Sequence, residues 1–248
     1  MSGPVRVVAV LADPRPATAA PPGIDPAALG LAMLEDVVDL VSDLAGIAPV
    51  LLVGSAGGPA PDPAWRRSVA DLAWPGTPVV DLGPGPVLPA ALAAVAALAG
   101  PTGAGGVGPA GNGDAAGERG AAGEGGAAGD GGAAGGEAVI VAADAPDLPG
   151  LLIAKLFRGL ARTAVAVCPA AGGGLVALGA RLPAGAWLVG ADPDLDAPDA
   201  LLRLYGAAPR RADVHLAPGW HRLRSAADLG ALDAGLEGWP ATRALLRT

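Results

Sequence analysis

The sequence is poor in the side chains that most often carry metal and hydrolytic chemistry. Its 248 residues include one cysteine, Cys168, and two histidines, His215 and His221. A single cysteine excludes an internal disulfide and any site built from several cysteines. Two histidines that stand apart from other candidate groups give no pattern for a zinc site or a Ser-His-Asp triad. Cys168 lies inside an apolar run, so we expect a buried core residue rather than a nucleophile.

Positive charge and long apolar runs are also scarce. Lysine and arginine together number 16 against 24 acidic residues, which gives a net charge of −8, and Lys155 is the only lysine. An acidic surface repels a phosphate backbone, so we expect no nucleic-acid partner, whereas a locally basic pocket still suits a nucleotide. No run reaches the roughly 20 apolar residues of a membrane helix, and the N-terminus lacks the features of a signal peptide. We therefore expect a soluble, cytoplasmic protein without a membrane partner, and no pattern identifies a protein partner.

Glycine and proline, by contrast, are abundant, at 40 and 26 residues. Much of the glycine lies in residues 100–137, which show no hydrophobic periodicity and repeat as GAAGEG, GAAGDG and GAAGG. Nothing in this segment offsets the entropy cost of ordering it, so we predict a disordered low-complexity insert. Residues 103–108 match the dinucleotide pattern G-x-G-x-x-G, but no strand precedes them and no helix follows, so the match carries no weight.

Buried strands and helices alternate on both sides of the insert. Apolar runs rich in β-branched residues are typical of strands buried on both faces, and Asp25-Pro26 and Asp62-Pro63 are typical helix starts. We predict strands at 5–12, 47–53, 77–82, 137–143, 163–168, 175–181 and 213–216, and helices at 26–45, 63–73, 88–99, 149–161, 196–205, 225–236 and from 240. This alternation indicates one three-layer α/β domain with a mostly parallel sheet, formed by residues 1–99 and 138–248.

Two aspartates follow the predicted strand 137–143, where ligands of open α/β sheets bind. Carboxylates at a strand end, here Asp144 and Asp147, can hold a divalent cation that bridges the phosphates of a nucleotide. Each has a structural alternative. Asp147 can cap the helix that begins near Pro149, and Asp144 can accept hydrogen bonds from loop N–H groups.

A run of three glycines, Gly172, Gly173 and Gly174, follows the predicted strand 163–168. Glycine lets a ligand approach the backbone closely, which makes this run a candidate part of a binding site. The alternative is a tight turn between two strands.

Several motifs resemble a bacterial family of GT-A-like transferases, the selenodomain-associated "glycosyltransferase" type of largely undefined substrate. They are Asp81-Leu-Gly83, Asp144-Ala-Pro-Asp-Leu-Pro149, Cys168-Pro-Ala-Ala-Gly-Gly-Gly-Leu-Val-Ala-Leu-Gly179 and Ala227-Asp-Leu229. The resemblance covers nearly the whole chain outside the insert. It implies the nucleotide-diphospho-sugar-transferase fold, a nucleotide or nucleotide-sugar ligand near Asp81, Asp144, Asp147 and the three glycines, and Mg²⁺ or Mn²⁺ held partly by Asp144.

Three elements depart from the family's pattern. The family's basic loop, K-A-P-x-P-G-x-x-K-T-R, here keeps only Arg15 as a phosphate-binding candidate, and the aspartate of its D-G-G is Gly172. The two aspartates of its D-V-D-T fall on Arg222 and Arg224, which reverses the charge at the expected second metal carboxylate. A metal is therefore doubtful here, and we predict a catalytically impaired or non-catalytic protein. The alternative is an active, metal-independent transferase in which an arginine replaces the metal.

The reversed charges lead to a geometric expectation. A guanidinium from Arg222 or Arg224 takes the cation's place and neutralises Asp144 directly. The alternative is that both arginines point to solvent from the loop before Ser225. We also expect Asp144, the Gly172–Gly174 turn and Asp81 to face a single cleft.

Overall fold

The computed structural model describes residues 4–54, 61–83, 85–100, 135–233 and 235–247. Within these ranges one seven-stranded sheet has the order β3-β2-β1-β4-β6-β5-β7. Strand β6 runs antiparallel to its neighbours β4 and β5, and the other pairs are parallel. The strands are β1 (Arg6–Ala12), β2 (Ala48–Val53), β3 (Val79–Asp81), β4 (Glu137–Ala142), β5 (Val165–Pro169), β6 (Leu175–Arg181) and β7 (Val214–Leu216).

Helices cover both faces of this sheet. They are α1 (Pro26–Ser42), α2 (Pro63–Leu72), α3 (Val87–Ala99), α4 (Gly150–Leu160), α5 (Ala186–Gly190), α6 (Ala200–Ala207) and α7 (Pro240–Leu246). Side chains of α1, α2 and α4 pack with Val8 and Val10 on one face, and those of α3, α5 and α6 pack with Val7 and Ala9 on the other. Successive residues of a strand point to opposite faces, so β1 contributes to both cores. The predicted three-layer, mostly parallel α/β fold is confirmed.

The helix starts follow the predicted capping pattern. Asp25 accepts a hydrogen bond from the N–H of Ala27 at 3.1 Å. Asp62 accepts one from the N–H of Ala64 at 2.6 Å. In each case a proline occupies the first turn, where its missing N–H costs nothing.

The predictions for the C-terminal third were less accurate. Helix α6 begins at Ala200 instead of 196, and the five-residue helix α5 is too short to leave a periodic pattern. The helix expected at 225–236 is a 3-10 helix, Ala226–Ala231, because Ser225 and Asp228 cap only a short turn there.

The predicted insert at 100–137 lies almost wholly outside the described residues. Strand β4 begins at Glu137, as predicted for the strand at 137–143, and the N–H of Glu137 donates to the carbonyl of Val5 at 2.8 Å. Strands from both sides of the insert, β1 and β4, pair directly in the sheet. Across the part of the chain that the structure describes, no helix combines the length and hydrophobicity of a membrane span.

Candidate functional site

A cavity of about 270 Å³ opens beyond the carboxyl ends of β1 and β4. These two strands lie side by side at the point where the strand order reverses, since β2 and β3 continue on one side and β6 and β5 on the other. Ligands of open α/β sheets bind at this kind of switch point. The walls come from the loop after β1, from α1, from the end of β4, from residues 194–196 and from residues 222–224.

Arg222 bridges two carboxylates in this cavity. Its Nε donates to Asp144 Oδ1 at 2.5 Å, and its Nη2 lies 2.8 Å from Asp196 Oδ1. Its Nη1 donates to the carbonyl oxygens of Leu175 and Leu195, both at 3.1 Å. The side chain is only 8% exposed. Every nitrogen of this guanidinium therefore has a partner, and the predicted solvent-facing alternative does not apply to Arg222.

Arg15 continues the same chain of charges on the solvent side. Its Nε donates to Asp13 Oδ2 at 2.7 Å, and its Nη2 contacts both Asp13 and Asp196. Asp196 thus receives guanidinium groups from two sides. The result is a continuous alternation of acid and base from Asp144 through Arg222, Asp196 and Arg15 to Asp13.

Arg224 lines the cavity beside this chain but is less completely paired. Its Nη1 donates to the carbonyl of Gly173 at 3.0 Å, and its Nη2 donates to the carbonyl of Leu195 at 3.2 Å. Its shortest distance to a carboxylate is 3.7 Å, from Nη2 to Asp196 Oδ1. Its Nε is buried and has no hydrogen-bond partner among the described residues.

The environment shifts the pKa values of these groups in different directions. Burial opposes the charge of Arg222, but Asp144 and Asp196 outweigh burial and raise the pKa of Arg222. Burial alone would raise the pKa of Asp196, yet Arg222 and Arg15 together lower it. Burial, helped by the neighbouring charge of Arg222, lowers the pKa of Arg224. The positive charge of Arg224 is therefore not fully compensated by neighbouring carboxylates.

The three glycines form a turn behind Arg224 and do not line the cavity. Gly172, Gly173 and Gly174 have φ values of +82°, +103° and +77°, which are conformations that favour glycine. A Cβ on Gly174 would lie 2.5 Å from the carbonyl oxygen of Leu195 and 3.0 Å from Arg224 Nη2. The turn therefore positions the arginine, and the tight-turn alternative describes it better than a direct ligand contact.

Asp81 does not line this cavity, contrary to the expectation that it faces the same cleft. It ends β3, the edge strand of the sheet, and β2 separates β3 from β1. Both of its carboxylate oxygens accept from Arg66 Nε, at 2.7 and 2.8 Å. Asp81 and Asp144 are separated because β2 and β1 lie between β3 and β4, and this order of strands cannot be read from local sequence patterns.

Asp147 neither lines the cavity nor caps α4, whose preceding residue Pro149 makes no side-chain cap. Its fully buried carboxylate accepts a hydrogen bond from Trp220 Nε1 at 3.2 Å. His221 Nε2 lies 2.9 Å from Asp147 Oδ1 but makes no hydrogen bond to it. Asp147 therefore anchors the segment that carries Arg222, and its partners lie more than 70 residues along the chain, beyond the reach of a local capping argument.

Sequence reasoning missed the acidic side of the cavity. Asp194 and Asp196 line it together with Asp13 and Asp144. Asp196 falls within the helix predicted at 196–205, and Asp13 is not among the candidate site residues. The alternation Asp192-Pro-Asp194-Leu-Asp196 between two apolar segments is the signal that could have identified this loop.

The residues of this cavity do not fit a divalent cation. A cation shared by Asp144 and Asp196 would have to lie between them, and the guanidinium of Arg222 already occupies that space. Among the described residues, no three His, Cys, Asp or Glu side chains form a group suited to a metal ion.

The sheet with its antiparallel strand β6 has the GT-A-like fold of nucleotide-diphospho-sugar-transferase-like proteins, as the comparison with solved structures shows. No family model and no curated protein matches this sequence. Among solved structures, the chain is similar to a protein from Desulfovibrio desulfuricans G20 that was proposed to be a nucleotide-diphospho-sugar transferase, with a TM-score of 0.61 at 15% identity. That similarity covers 98% of this chain and 97% of the other.

A second similar structure is 4-diphosphocytidyl-2C-methyl-D-erythritol synthase, with a TM-score of 0.55 at 13% identity over 99% of this chain and 100% of the other. Identities this low show the fold alone. The fold implied by the sequence resemblance is therefore confirmed, and the chemistry of this chain rests on its own residues.

Proposed function

We propose that this chain is a catalytically impaired or non-catalytic relative of the nucleotidyl- and glycosyltransferases, which binds a nucleotide or nucleotide-sugar type of ligand in the cavity at β1 and β4. The observation that carries the proposal is the guanidinium of Arg222 between Asp144 and Asp196. Cytoplasmic location and a single domain made of residues 1–99 and 138–248 are parts of the same proposal.

Asp144 and Asp196 lie on either side of the Arg222 guanidinium. Carboxylates that approach each other closely repel unless a cation lies between them, and a metal ion is one such cation. Arg222 supplies the positive charge here from the protein itself. Admitting Mg²⁺ or Mn²⁺ would require displacing a buried guanidinium from both acids and from two carbonyls, and breaking a buried ion pair costs about 3–5 kcal/mol.

Ligand binding is supported by the position and the lining of the cavity. It lies at the switch point of the sheet and combines apolar walls with convergent charged groups, both of which are features of small-molecule sites. Arg15 and Arg224 are the arginines nearest to solvent there, with side chains 56% and 30% exposed.

A thermal-denaturation panel tests the proposal. The chain is heated with nucleoside mono-, di- and triphosphates and with nucleotide-sugars, each with and without Mg²⁺ or Mn²⁺. We expect at least one ligand to raise the melting temperature without metal, because binding to the folded state stabilises it. We expect the metals to add nothing. Millimolar or tighter metal binding that Asp144→Asn abolishes would contradict the proposal.

The alternative function is an active, metal-independent transferase in which Arg222 or Arg224 neutralises phosphate charge in place of the metal. The incomplete pairing of Arg224 favours it, since this charge is available to a ligand. The two functions differ in turnover. Release of nucleotide or pyrophosphate in the presence of EDTA, lost in Arg224→Gln, would support the alternative.

A further inference from the structure

The charged groups that line the cavity do not suit a ligand with several phosphates. Aspartates outnumber arginines by four to three among the described lining residues, which are Asp13, Asp144, Asp194, Asp196, Arg15, Arg222 and Arg224. A nucleoside triphosphate brings several negative charges, and without a metal it would meet a surplus of carboxylates. Like charges in a partly buried cavity repel strongly because water screens them poorly.

The four carboxylates are nevertheless unevenly distributed among the three arginines. Asp196 is shared by all three, and Arg222 and Arg15 each have a further acid, Asp144 and Asp13. Arg224 has only the long contact of 3.7 Å to Asp196. The fourth acid, Asp194, instead accepts from the backbone N–H of Asp196 at 3.0 Å.

Arg224 is also the arginine whose hydrogen-bonding capacity is least used. Its bonded partners, the carbonyls of Gly173 and Leu195, are neutral, and its Nε is buried without a partner among the described residues. A half-buried cation whose hydrogen-bond partners are neutral gains more from one added anion than a cation that is already paired with a carboxylate.

The rest of the lining limits the ligand to a small molecule. Leu11, Met33, Val87, Leu195 and Leu223 give the cavity apolar walls. Its volume of about 270 Å³ lies just below the usual range for small-molecule sites, about 300–1,000 Å³. An uncharged body with a single anionic group fits such walls better than a chain of phosphates.

We propose that Arg224 binds the single phosphate of a phosphomonoester, either a nucleoside monophosphate or a sugar phosphate, and that the cavity discriminates against di- and triphosphates. This inference rests on the proposed function, because it narrows the ligand class of the same site. The selectivity comes from two features together, a guanidinium without a close carboxylate partner and an excess of one carboxylate over the arginines in the cavity lining as a whole.

Calorimetric titration in EDTA tests this inference. The probes are the nucleoside and its 5′-mono-, di- and triphosphate for each of four bases, together with glucose 1-phosphate and inorganic phosphate. For the nucleoside that binds best, we expect the monophosphate to bind at least about tenfold more tightly than the unphosphorylated nucleoside. We expect each further phosphate to weaken binding. The nucleotide and sugar-phosphate probes distinguish the two sources of the phosphomonoester.

Two variants and a control assign the effect to Arg224. Arg224→Gln is expected to lose the gain from the phosphate, and Arg224→Lys to keep part of it because the charge remains. Arg203→Gln is the control, since Arg203 pairs with Asp199 on the exposed side of α6. Circular dichroism shows whether each variant is folded, and the titrations of the native chain test the selectivity without any substitution.

Three results would overturn the inference. They are tighter binding of the triphosphate than of the monophosphate in EDTA, no binding of any phosphomonoester, or unchanged binding in a folded Arg224→Gln. Tight triphosphate binding in EDTA leaves the proposed loss of metal-dependent transfer intact. Triphosphate binding that requires Mg²⁺ would instead contradict the proposed function itself.

Discussion

Arg222 Nε lies 2.5 Å from Asp144 Oδ1, across 78 residues of sequence. The arginine stands where the resembled family has a carboxylate, so a position expected to share a cation with Asp144 supplies the cation itself. The same guanidinium reaches Asp196 at 2.8 Å, which ties the end of β4 to the loop before α6. This pair connects the stability of the fold with the chemistry of the cavity.

The first prediction concerns the energy of this bridge. Arg222→Met should lower the free energy of unfolding at pH 7 by about 3–5 kcal/mol, because two carboxylates lose their shared cation in a partly buried site. Urea denaturation measures the change. Adding Asp144→Asn to Arg222→Met should recover part of the loss. Arg203→Ala, which removes an exposed ion pair with Asp199, should cost less than about 1 kcal/mol.

The second prediction concerns acid. The folded-state pKa of Asp196 is lowered, with burial outweighed by Arg222 and Arg15. A lowered pKa means that the unfolded chain binds more protons, so this contribution to stability is present above the ordinary aspartate pKa of about 3.9 and is lost as pH falls through the folded value. Urea midpoints measured from pH 6 to pH 2.5 should fall less steeply in Asp196→Asn than in the native chain. An unchanged slope would contradict the ion-pair network.

The third prediction separates backbone strain from crowding in the glycine turn. Gly172→Ala and Gly174→Ala both place a side chain at positive φ, +82° and +77°. A Cβ at Gly172 meets nothing within 4 Å, whereas one at Gly174 meets the Leu195 carbonyl at 2.5 Å. We expect about 1–2 kcal/mol for Gly172→Ala from strain alone and a clearly larger loss for Gly174→Ala. Equal losses would show that close contact of a Cβ at Gly174 with Leu195 and Arg224 adds nothing to the backbone strain.

Comparison of sequence and structure shows why the fold was easier to predict than the site. Local sequence patterns predicted the fold. They are the apolar runs that form β1 and β4 and the Asp-Pro pairs that begin α1 and α2, and they do not depend on distant residues. The location of Asp81 depends on the order of strands in the sheet, and the partners of Asp147 lie in a distant segment. Asp196 belongs to an acidic loop, Asp192-Pro-Asp194-Leu-Asp196, that sequence could have marked as a candidate, but its contact with Arg222 joins positions 26 residues apart and no local pattern specifies that pairing.

The fourth prediction concerns the glycine-rich segment. Replacing residues 101–134 with a short Gly/Ser linker should change the free energy of unfolding by less than about 1 kcal/mol, because the cost of loop closure depends only weakly on loop length. The described ends, Gly100 and Gly135, flank α3 and β4 and provide the junctions. Loss of cooperative unfolding in the deleted chain would show that the segment contributes to the folded core.

The last prediction reverses the charge substitution that defines the cavity. Arg222→Asp removes the guanidinium between Asp144 and Asp196 and adds a third carboxylate beside them. Three converging carboxylates are a ligand set that Mn²⁺ accepts, and the repulsion among them makes the apo variant unstable. Millimolar Mn²⁺ should therefore raise the melting temperature of Arg222→Asp. A metal concentration about 100 times the dissociation constant would add about 2.7 kcal/mol to the free energy of unfolding. Arg222→Met, which exposes the two native acids without adding a third, is the matched control and should respond less. The native chain should not respond at all, because its own arginine competes for the same oxygens. Equal responses in the native chain and in Arg222→Asp would mean that the metal binds elsewhere and that Arg222 does not replace it.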